Sequence, residues 1–325
     1  MLYPLKFEPV LKDKIWGGTK LKRLFNKAAT SDKLGESWEL SGYEADESVV
    51  TNGFLTGNNL PELIEIYMGE LVGDKIYDEF GLYFPLLFKL IDANENLSIQ
   101  VHPGDEIAAE RHNSFGKTEM WYVIDADPGA VLIIGFKNDC SRDEYLVALE
   151  KGHVEDLLQK VPVTKGDVFF IPAGLVHAIG KGVVVAEIQQ SSDITYRIYD
   201  FKRTDDQGNE RELHTEEALD VIQFEASKNP KINYNLLTNE ITPVVNCQYF
   251  TTNILHFNQY LTRNYASINS FVAYMCMEGN FVIEFSGEKT IVNKGDTILI
   301  PACIDELNLI PDNDVTLLEV YISEN

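Results

Sequence analysis

The fold of this chain is decided by the stretch Gly166-Asp-Val-Phe-Phe-Ile-Pro-Ala-Gly-Leu-Val-His177, in which an apolar run precedes a Pro-x-Gly turn and a histidine. Consecutive apolar residues bounded by glycine and proline are typical of a short buried strand. Glycine permits the tight backbone of the turn. The stretch therefore predicts a strand, a sharp turn and a histidine placed directly after it.

A second stretch, from Gln100 to Glu119, supplies partners for His177. Gln100 and His102 are two residues apart, so in a strand both side chains point to the same face. Glu119 opens the apolar run that ends at Ile124 and can add a carboxylate from a neighbouring strand. Imidazole and carboxylate are the usual protein ligands of a divalent metal such as Zn²⁺. Gln100, His102, Glu119 and His177 are therefore predicted to be metal ligands.

Alternatives stay open for these residues. A histidine taken alone is more often a hydrogen-bonded core or surface residue than a ligand, and only the combination favours a metal. Amides bind Zn²⁺ weakly, so Gln100 could instead orient a neighbouring ligand. The histidines without such a setting are predicted to be surface or packing residues: His112, His153, His214 and His256.

The composition disfavours several classes of function. The formal net charge of −24 at pH 7 disfavours binding to nucleic acid and to anionic membranes. No apolar run approaches the roughly 20 residues of a membrane span. The N-terminus lacks the basic start and the apolar run of a signal peptide. Four widely spaced cysteines are typical of reduced thiols. We therefore expect a soluble cytoplasmic protein.

β-Strand patterns dominate the chain, and one of them recurs. Short runs rich in Val, Ile, Phe and Tyr predict a mainly β protein with few helices. The segment Lys165–Ala173 recurs as Lys294–Ala302 at an offset of 129 residues, which suits a duplicated domain. Aligned without gaps, His177 falls opposite Glu306, and the second copy lacks the ligand set. It is predicted to be a structural copy.

Several motifs resemble type I mannose-6-phosphate isomerases of the cupin superfamily, in their short bacterial form. The Pro-x-Gly-x-x-His spacing with an earlier His and Glu is similar to the cupin barrel. The more specific matches are Gly35–Ser41, Leu97–Pro103, Gly116–Glu119, Pro172–His177 and Gln189–Arg197. The resemblance implies a bicupin: two double-stranded β-helix, or jelly-roll, barrels with a few helices inserted or flanking.

The resemblance, the repeat and the polar segments together predict three parts of the chain. Residues 1–203 are predicted to form an N-terminal segment and a catalytic, metal-binding cupin barrel. Residues 204–240 are predicted to be a connecting helical and polar segment. Residues 241–325 are predicted to form a second, degenerate cupin barrel without metal ligands.

The resembled family interconverts mannose 6-phosphate and fructose 6-phosphate through a cis-enediol(ate), as aldose-ketose isomerases. This chemistry needs a Lewis acid and a general base, and the resemblance implies one divalent ion per chain, with Zn²⁺ expected. Arg197 matches the family's catalytic arginine, whose fixed charge suits an enediolate. Alternatively, Arg197 pairs with Asp193 or Asp200. The general base stays open among a hydroxide at the metal, Glu119 and Asp200.

The substrate implied by the resemblance is a small phosphorylated hexose. Ser98 and Lys117 each stand two residues before a predicted ligand, so regular strands would put both on the metal face. The family places a phosphate contact at these positions, and a hydroxyl with an ammonium suits a dianion.

The resemblance also implies that the N-terminal segment lines the site. Trp38 and Glu39 are candidate sugar contacts, and Asp200 is a further candidate. Trp38 could stack on a sugar face or equally well belong to the core.

Two other classes of function compete with an isomerase. A cupin dioxygenase would use Fe²⁺ in a related ligand set and consume O₂, but Ser98 and Lys117 argue against it. A non-catalytic sugar-binding cupin is expected to have lost ligands or Arg197, and the first barrel keeps both. The duplicated barrel can satisfy its own sheet edges, which favours a monomer over a weak homodimer.

Overall fold

The structure, a computed structural model, describes residues 1–204 and 207–323. Asp205 and Asp206 of the predicted connecting segment, and Glu324 and Asn325 of the predicted second barrel, lie outside the described residues. The described strands form four antiparallel sheets. The mainly β fold with few helices is therefore confirmed.

Most elements of the described residues are short strands. The strands are β1 (Leu5–Glu8), β2 (Val10–Gly18), β3 (Leu34–Leu40), β4 (Val49–Val50), β5 (Leu86–Ala93), β6 (Ile99–Val101), β7 (Glu119–Ala126), β8 (Val131–Phe136), β9 (Leu158–Pro162), β10 (Val168–Ile171), β11 (His177–Ile179), β12 (Val183–Gln190), β13 (Tyr196–Tyr199), β14 (Lys231–Ile232), β15 (Glu240–Asn246), β16 (Thr251–Phe257), β17 (Leu261–Asn264), β18 (Val272–Glu278), β19 (Phe281–Phe285), β20 (Glu288–Val292), β21 (Thr297–Ile300), β22 (Glu306–Pro311) and β23 (Val315–Tyr321). The α-helices are α1 (Lys20–Phe25), α2 (Leu60–Tyr67), α3 (Gly69–Val72), α4 (Asp74–Phe80), α5 (Asp105–His112), α6 (Arg142–Glu150) and α7 (Thr215–Leu219), and single 3₁₀ turns span Gly53–Leu55 and Val154–Leu157. None of these helices is long and apolar enough to span a bilayer.

The first barrel consists of two facing sheets. The larger sheet has the order β14-β10-β7-β12-β5-β3-β2, and the smaller has the order β13-β6-β11-β8-β9. Side chains alternate along each strand, so Val183 and Val185 of β12 point between the two sheets while Val184 and Ala186 point away. The inward positions therefore form an apolar core that contains Trp121.

The second barrel repeats this arrangement. Its larger sheet has the order β15-β16-β23-β18-β21-β1-β4, and its smaller sheet has the order β17-β22-β19-β20. The N-terminal strand β1 pairs with β21, with Leu5 opposite Leu299. The first residues of the chain therefore extend the larger sheet of the second barrel. The predicted division at 203 and 240 stays a prediction.

The two larger sheets pack against each other through the largest core of the molecule. Met120 and Ile188 from the first barrel lie in the same cluster as Met275 and Leu318 from the second. Strands β7 and β12 are therefore buried on both faces. Burying a large apolar side chain contributes roughly 1.5–3 kcal/mol, so this packing holds both strands rigidly.

The smaller sheet of the first barrel is also covered on its outer face. Tyr145 of α6, Val154 of the 3₁₀ turn and Leu219 of α7 pack there against Ile99 and Val101 of β6. Helix α6 begins at a capping box in which Ser141 accepts from the Glu144 backbone N–H, which stabilises its start. This cover fixes β6 from outside, so its other side chains point into the barrel.

Candidate metal centre and its cavity

His102 and His177 meet inside the first barrel. His177 of β11 lies opposite Gln100 of β6, and His102 follows β6 by one residue. The Nδ1 atom of His102 lies 2.8 Å from the Ile194 carbonyl, and that of His177 lies 2.8 Å from the Leu175 carbonyl. Because a carbonyl oxygen only accepts, each Nδ1 carries the proton and each Nε2 presents a lone pair.

The two imidazoles are held in their neutral form. Burial lowers the pKa of His102 well below its ordinary value, and the charge of Lys117 lowers it further. Burial likewise lowers the pKa of His177 to about 4. The two Nε2 atoms lie 3.1 Å apart. Two facing lone pairs repel each other, so the pair suits a cation that both nitrogens can bind.

Glu119 reaches the histidines from the opposite sheet. Its carboxylate oxygens lie 3.6 Å from Nε2 of His102 and 3.4 Å from Nε2 of His177. The side chain is fully buried, and neither oxygen accepts a hydrogen bond from any described residue. Lys117 Nζ lies 3.0 Å from Glu119 Oε2 as an ion pair. The carboxylate also faces the two imidazole Nε2 atoms, which carry no proton, so it suits a divalent cation as well.

These three residues fit a divalent metal ion. One donor atom from each lies within 4.8 Å of the others, and no other group of this kind occurs among residues 1–204 and 207–323. Two imidazoles and a carboxylate match the donors of Zn²⁺, Mn²⁺, Co²⁺ or Fe²⁺. The carbonyls on the Nδ1 atoms orient both rings, as outer partners of metal-binding histidines do.

Gln100 lies at the edge of this cluster. Its amide nitrogen is 3.4 Å from His177 Nε2, and its amide oxygen is 3.4 Å from Ser98 Oγ. Gln100 is therefore close enough to orient a ligand. Its role as a fourth ligand stays a prediction.

A polar cavity of about 250 Å³ opens beside the cluster. Four of the predicted site residues line it: Ser98, Gln100, Lys117 and Arg197. Strands β13, β6 and β11 are neighbours, so Arg197, Gln100 and His177 stand side by side across the smaller sheet. The sheet register thus brings the predicted catalytic arginine next to the candidate metal centre.

Lys117 links the cavity to the cluster. Its Nζ donates to His102 Nε2 at 3.0 Å and lies equally close to Glu119. Lys117 and Glu119 share a face of their segment, as their two-residue spacing predicts. Its predicted contact with phosphate stays a prediction.

The guanidinium group of Arg197 has only part of its hydrogen bonds satisfied within the described part of the chain. Its Nη1 donates to the Glu212 carbonyl at 2.8 Å, while its buried Nε has no hydrogen-bond partner in the described part of the chain. Burial lowers the pKa of Arg197, and the nearby charge of Arg211 lowers it further. An arginine in this state can take an anionic partner.

Sequence reasoning missed a row of charged residues that crosses the larger sheet. Glu187 of β12 lies opposite both Trp121 of β7 and Lys89 of β5. Its carboxylate accepts from Trp121 Nε1 at 2.8 Å and lies 3.5 Å from Lys89 Nζ. Glu187 and Lys89 both line the cavity. In the sequence, both residues stand out only as charged residues within apolar strand runs. Such a pattern does not reveal which residue lies opposite on the neighbouring strand.

Burial and neighbouring charges shift both of these groups. Burial raises the pKa of Glu187, and the nearby Glu119 raises it further. Burial alone would lower the pKa of Lys89, but Glu187 and Glu36 raise it above its ordinary value.

The structure does not bring the candidate sugar contacts Trp38, Glu39 and Asp200 into the described lining of the cavity. Trp38 is fully buried, with Lys12 Nζ 4.0 Å from its ring centroid. Glu39 accepts from Lys27 Nζ at 2.7 Å. Asp200 is bound by two arginines. Their roles as sugar contacts stay predictions.

The second barrel differs at the matching positions. Ile171 opposes Glu119 in the first barrel, and Ile300, which is 129 residues later, opposes Val272 in the second. Valine therefore stands where the first barrel has its carboxylate. Glu306, which aligns with His177 in the repeat, is exposed on its strand.

Comparisons with known proteins agree with this arrangement. The chain matches the catalytic domain of type I phosphomannose isomerase over residues 4–140 and the mannose-6-phosphate isomerase cupin domain over residues 240–314. It is 36% identical over 325 residues to a mannose-6-phosphate isomerase of Streptococcus mutans, covering 100% of both chains. It is also 36% identical over 313 residues to the mannose-6-phosphate isomerase ManA of Bacillus subtilis, covering 94% of this chain and 95% of that protein.

A solved structure extends the likeness to the whole fold. The crystal structure of a mannose 6-phosphate isomerase from Bacillus subtilis matches this chain with a TM-score of 0.89 and 33% identity, covering 98% of this chain and 99% of that one. The predicted bicupin fold and the predicted resemblance are thereby confirmed. On its sequence, its fold and its candidate metal centre, this chain belongs to the type I mannose-6-phosphate isomerase, or phosphomannose isomerase, family.

Proposed function

We propose that this protein is an aldose-ketose isomerase that interconverts mannose 6-phosphate and fructose 6-phosphate and depends on a divalent metal. The observation that carries the proposal is the cluster of His102, Glu119 and His177 beside a cavity lined by Arg197 and Lys117. Two neutral imidazoles and a carboxylate lie at one end of a cavity whose wall carries the cationic groups of Arg197 and Lys117. This combination suits a phosphorylated sugar that must be polarised at its carbonyl.

His102, Glu119 and His177 would hold the metal ion, with Gln100 as the fourth candidate ligand. When bound there, a divalent ion supplies a Lewis acid for the sugar carbonyl and the developing oxyanion. The two backbone carbonyls on the imidazole Nδ1 atoms keep both rings in the tautomer that can bind it.

Arg197 would stabilise the negative charge of the cis-enediol(ate). It stands beside Gln100, and its Nε is buried without a described partner. A guanidinium stays charged at physiological pH and binds planar anionic groups with fixed geometry. Charge stabilisation of this kind acts more strongly in a site that excludes water.

The proton transfer needs a group that faces the cavity. Burial would raise the pKa of Asp200, but hydrogen bonds from Arg211 and Arg203 hold it below its ordinary value, so Asp200 is a weak base. Glu187 lines the cavity, and burial raises its pKa. A carboxylate of raised pKa is better matched to proton transfer near neutral pH, so Glu187 joins Glu119 among the candidate bases.

Ser98 and Lys117 would contact the phosphorylated substrate. Both line the cavity, and a hydroxyl and an ammonium donate to phosphate oxygens. Because a divalent ion repels an ammonium group, metal binding would favour a Lys117 side chain turned towards the cavity and its anion.

Three finer points belong to the same proposal. We propose Zn²⁺ as the ion, a monomer as the working state and the cytoplasm as the location. The donor set fits Zn²⁺ as well as other first-row metals. The monomer is supported by strands β1 and β4, which cover one sheet edge of the second barrel. Elemental analysis and light scattering on the purified protein test the first two points.

The test is a coupled assay of mannose 6-phosphate turnover before chelation, after chelation and after Zn²⁺ is restored. We expect turnover that is lost with the chelator and returns with the metal. Absence of turnover in the metal-loaded protein would overturn the proposal, and O₂ uptake with a phosphate-free substrate would then favour a dioxygenase. His153→Ala is the control, because His153 is exposed beside Asp156 and its loss should leave turnover intact.

A further inference from the structure

We propose that Arg211 recognises the phosphate group of the substrate and that Asp200 is the positioning residue that holds Arg211 in place. This inference rests on the proposed function, and it names a specificity residue from the segment between the two barrels. Arg211 lines the cavity, although it lies far along the chain from the strands that carry the candidate ligands.

Asp200 fixes the orientation of Arg211. The Nε and Nη2 atoms of Arg211 donate to the two carboxylate oxygens of Asp200 at 2.7 and 2.6 Å. This paired geometry restricts the planar guanidinium more than a single bond would. Asp200 is only 5% exposed, so the anchor is itself held in the protein. A buried anchor keeps the arginine in position before a ligand arrives, which favours binding.

Arg211 and Arg197 form a positive wall on one side of the cavity. Both line it, and after burial the charge of Arg211 is the next cause that lowers the pKa of Arg197, so the two guanidinium groups are close enough to interact. Asp200 is shared between Arg211 and Arg203, so one carboxylate serves two guanidinium groups. The wall therefore keeps an excess of positive charge in a protein whose net charge is −24.

The residues opposite carry no such excess of positive charge, because two lysines face three carboxylates there. Lys14 Nζ lies 3.1 Å from Glu36, and Lys89 Nζ lies 3.5 Å from Glu187 and 4.0 Å from Asp193. These lysines are paired with carboxylates that also line the cavity. An anion entering the cavity is therefore attracted to the arginine wall.

The sheet register puts this wall beside the predicted phosphate contact. Tyr199 of β13 pairs with Ile99 of β6, so the next residues in each direction, Asp200 and Ser98, lie at the same end of the strand pair. Ser98, which lines the cavity, can therefore supply a hydroxyl near the two guanidinium groups. The Arg211 guanidinium and the Ser98 hydroxyl are suitable donors for a phosphate dianion.

The experiment compares Arg211→Gln with Arg203→Gln. Both arginines bind Asp200, but Arg203 is not among the described residues that line the cavity, so the pair separates contact with the ligand from support of Asp200. Losing a charge-assisted contact should raise KM for mannose 6-phosphate about tenfold or more in Arg211→Gln and change kcat less than about threefold. Arg203→Gln weakens only the support of Asp200, so KM should rise by a smaller factor than in Arg211→Gln. Arg111→Gln, which removes an exposed arginine paired with Asp220, should stay within about twofold of wild type in both constants.

Inorganic phosphate gives a readout that does not depend on turnover. Calorimetric titration of phosphate into the metal-loaded protein should show a dissociation constant raised about tenfold in Arg211→Gln, by a smaller factor in Arg203→Gln and not at all in Arg111→Gln. Asp200→Asn should follow Arg211→Gln if Asp200 acts by positioning. If Arg211→Gln does not fold, Arg211→Lys is used instead and should weaken phosphate binding by a smaller factor, because lysine cannot make the paired contact.

Unchanged KM and unchanged phosphate binding in Arg211→Gln would overturn the inference, and so would equal losses in Arg211→Gln and Arg203→Gln. Wild-type protein that binds phosphate through Arg211 but does not isomerise the sugar would overturn the proposed function alone.

Discussion

Glu319 occupies in the second barrel the position that Glu187 holds in the first. Glu187 pairs across the sheet with Trp121, and Glu319 pairs in the same way with Tyr274. Trp121 and Tyr274 in turn oppose Phe169 and Ile298, two residues that are 129 apart. Both ladders also carry a register shift two residues further along, so the duplication extends to backbone irregularities.

The surroundings of the two carboxylates differ. In the first barrel Lys89 lies opposite Glu187, whereas Asn253 lies opposite Glu319 in the second. Arg263 fills the space inside the second barrel, where its Nη2 donates to Glu319 at 2.8 Å, and Tyr265 donates to the same carboxylate at 2.6 Å. An internal arginine thus satisfies the carboxylate that faces the candidate active site in the first barrel.

Glu319→Gln should destabilise the fold without changing metal content. Glu319 is 1% exposed, and removing one partner of a buried ion pair leaves the arginine uncompensated, at a cost of about 3 kcal/mol. Chemical denaturation gives the free energy of unfolding, and elemental analysis gives the metal content. A metal content that falls with this variant would contradict the structural role. Glu284→Gln, on a partly exposed pair in the same barrel, is the control.

His102→Ala and His177→Ala should each lose both the metal and turnover. Each replacement removes one of the three donors that meet in the cluster, and a divalent ion held by two protein donors binds weakly. Elemental analysis after dialysis and the coupled assay measure the two effects. An active variant free of metal would remove the proposed centre.

Arg197→Ala should keep the metal and lower kcat by about a hundredfold or more, because an interaction made mainly in the transition state is lost. Substrate affinity should change little by comparison. Steady-state kinetics separate the two constants. If kcat holds while only KM rises, Arg197 binds the substrate and does not act on the transition state.

Lys117→Ala should chiefly raise KM for mannose 6-phosphate, by about tenfold, since a charge-assisted contact with phosphate is removed. The control is Lys181→Ala, which removes an exposed lysine paired with Glu95. Steady-state kinetics of both variants measure KM for mannose 6-phosphate. An unchanged KM in Lys117→Ala would take this lysine out of the phosphate contact.

Trp38→Phe should lower stability more than it affects the substrate. Trp38 is fully buried, and its Nε1 donates to Glu36 at 2.8 Å, so the replacement costs about 1–2 kcal/mol of unfolding free energy. Denaturation and KM are measured on the same preparation. A raised KM at unchanged stability would instead favour stacking of Trp38 on the sugar.

Strand alternation is the basis of the prediction of the candidate donor residues. Gln100 and His102, like Lys117 and Glu119, are separated by two residues, and this spacing alone puts each pair on one face of an extended chain. The turn before His177 was equally local, because Pro and Gly restrict the backbone within a few residues. None of these inferences required knowledge of which strands are neighbours.

Strand alternation does not decide which face of a strand borders the cavity, as β3 shows. Glu36 and Trp38 share one face of β3, and Glu39 lies on the other, where it meets Lys27. The pattern separates the two faces but does not say which one borders the cavity. Glu36 proved to line the cavity, whereas Glu39 was the residue predicted to contact the sugar.

The sequence by itself predicted the mainly β fold, its duplication and the candidate metal donors, because these depend on residue patterns within single strands and turns and on the recurrence of one such pattern along the chain. Only the tertiary structure decided that Glu119 faces the histidines from the opposite sheet and that Glu187 stands between Trp121 and Lys89. The tertiary structure likewise decided that Arg211, which is bound to Asp200, lines the cavity. These relationships depend on pairing between strands and segments that are distant in the chain, and pairing of that kind is set by the packing of the whole barrel.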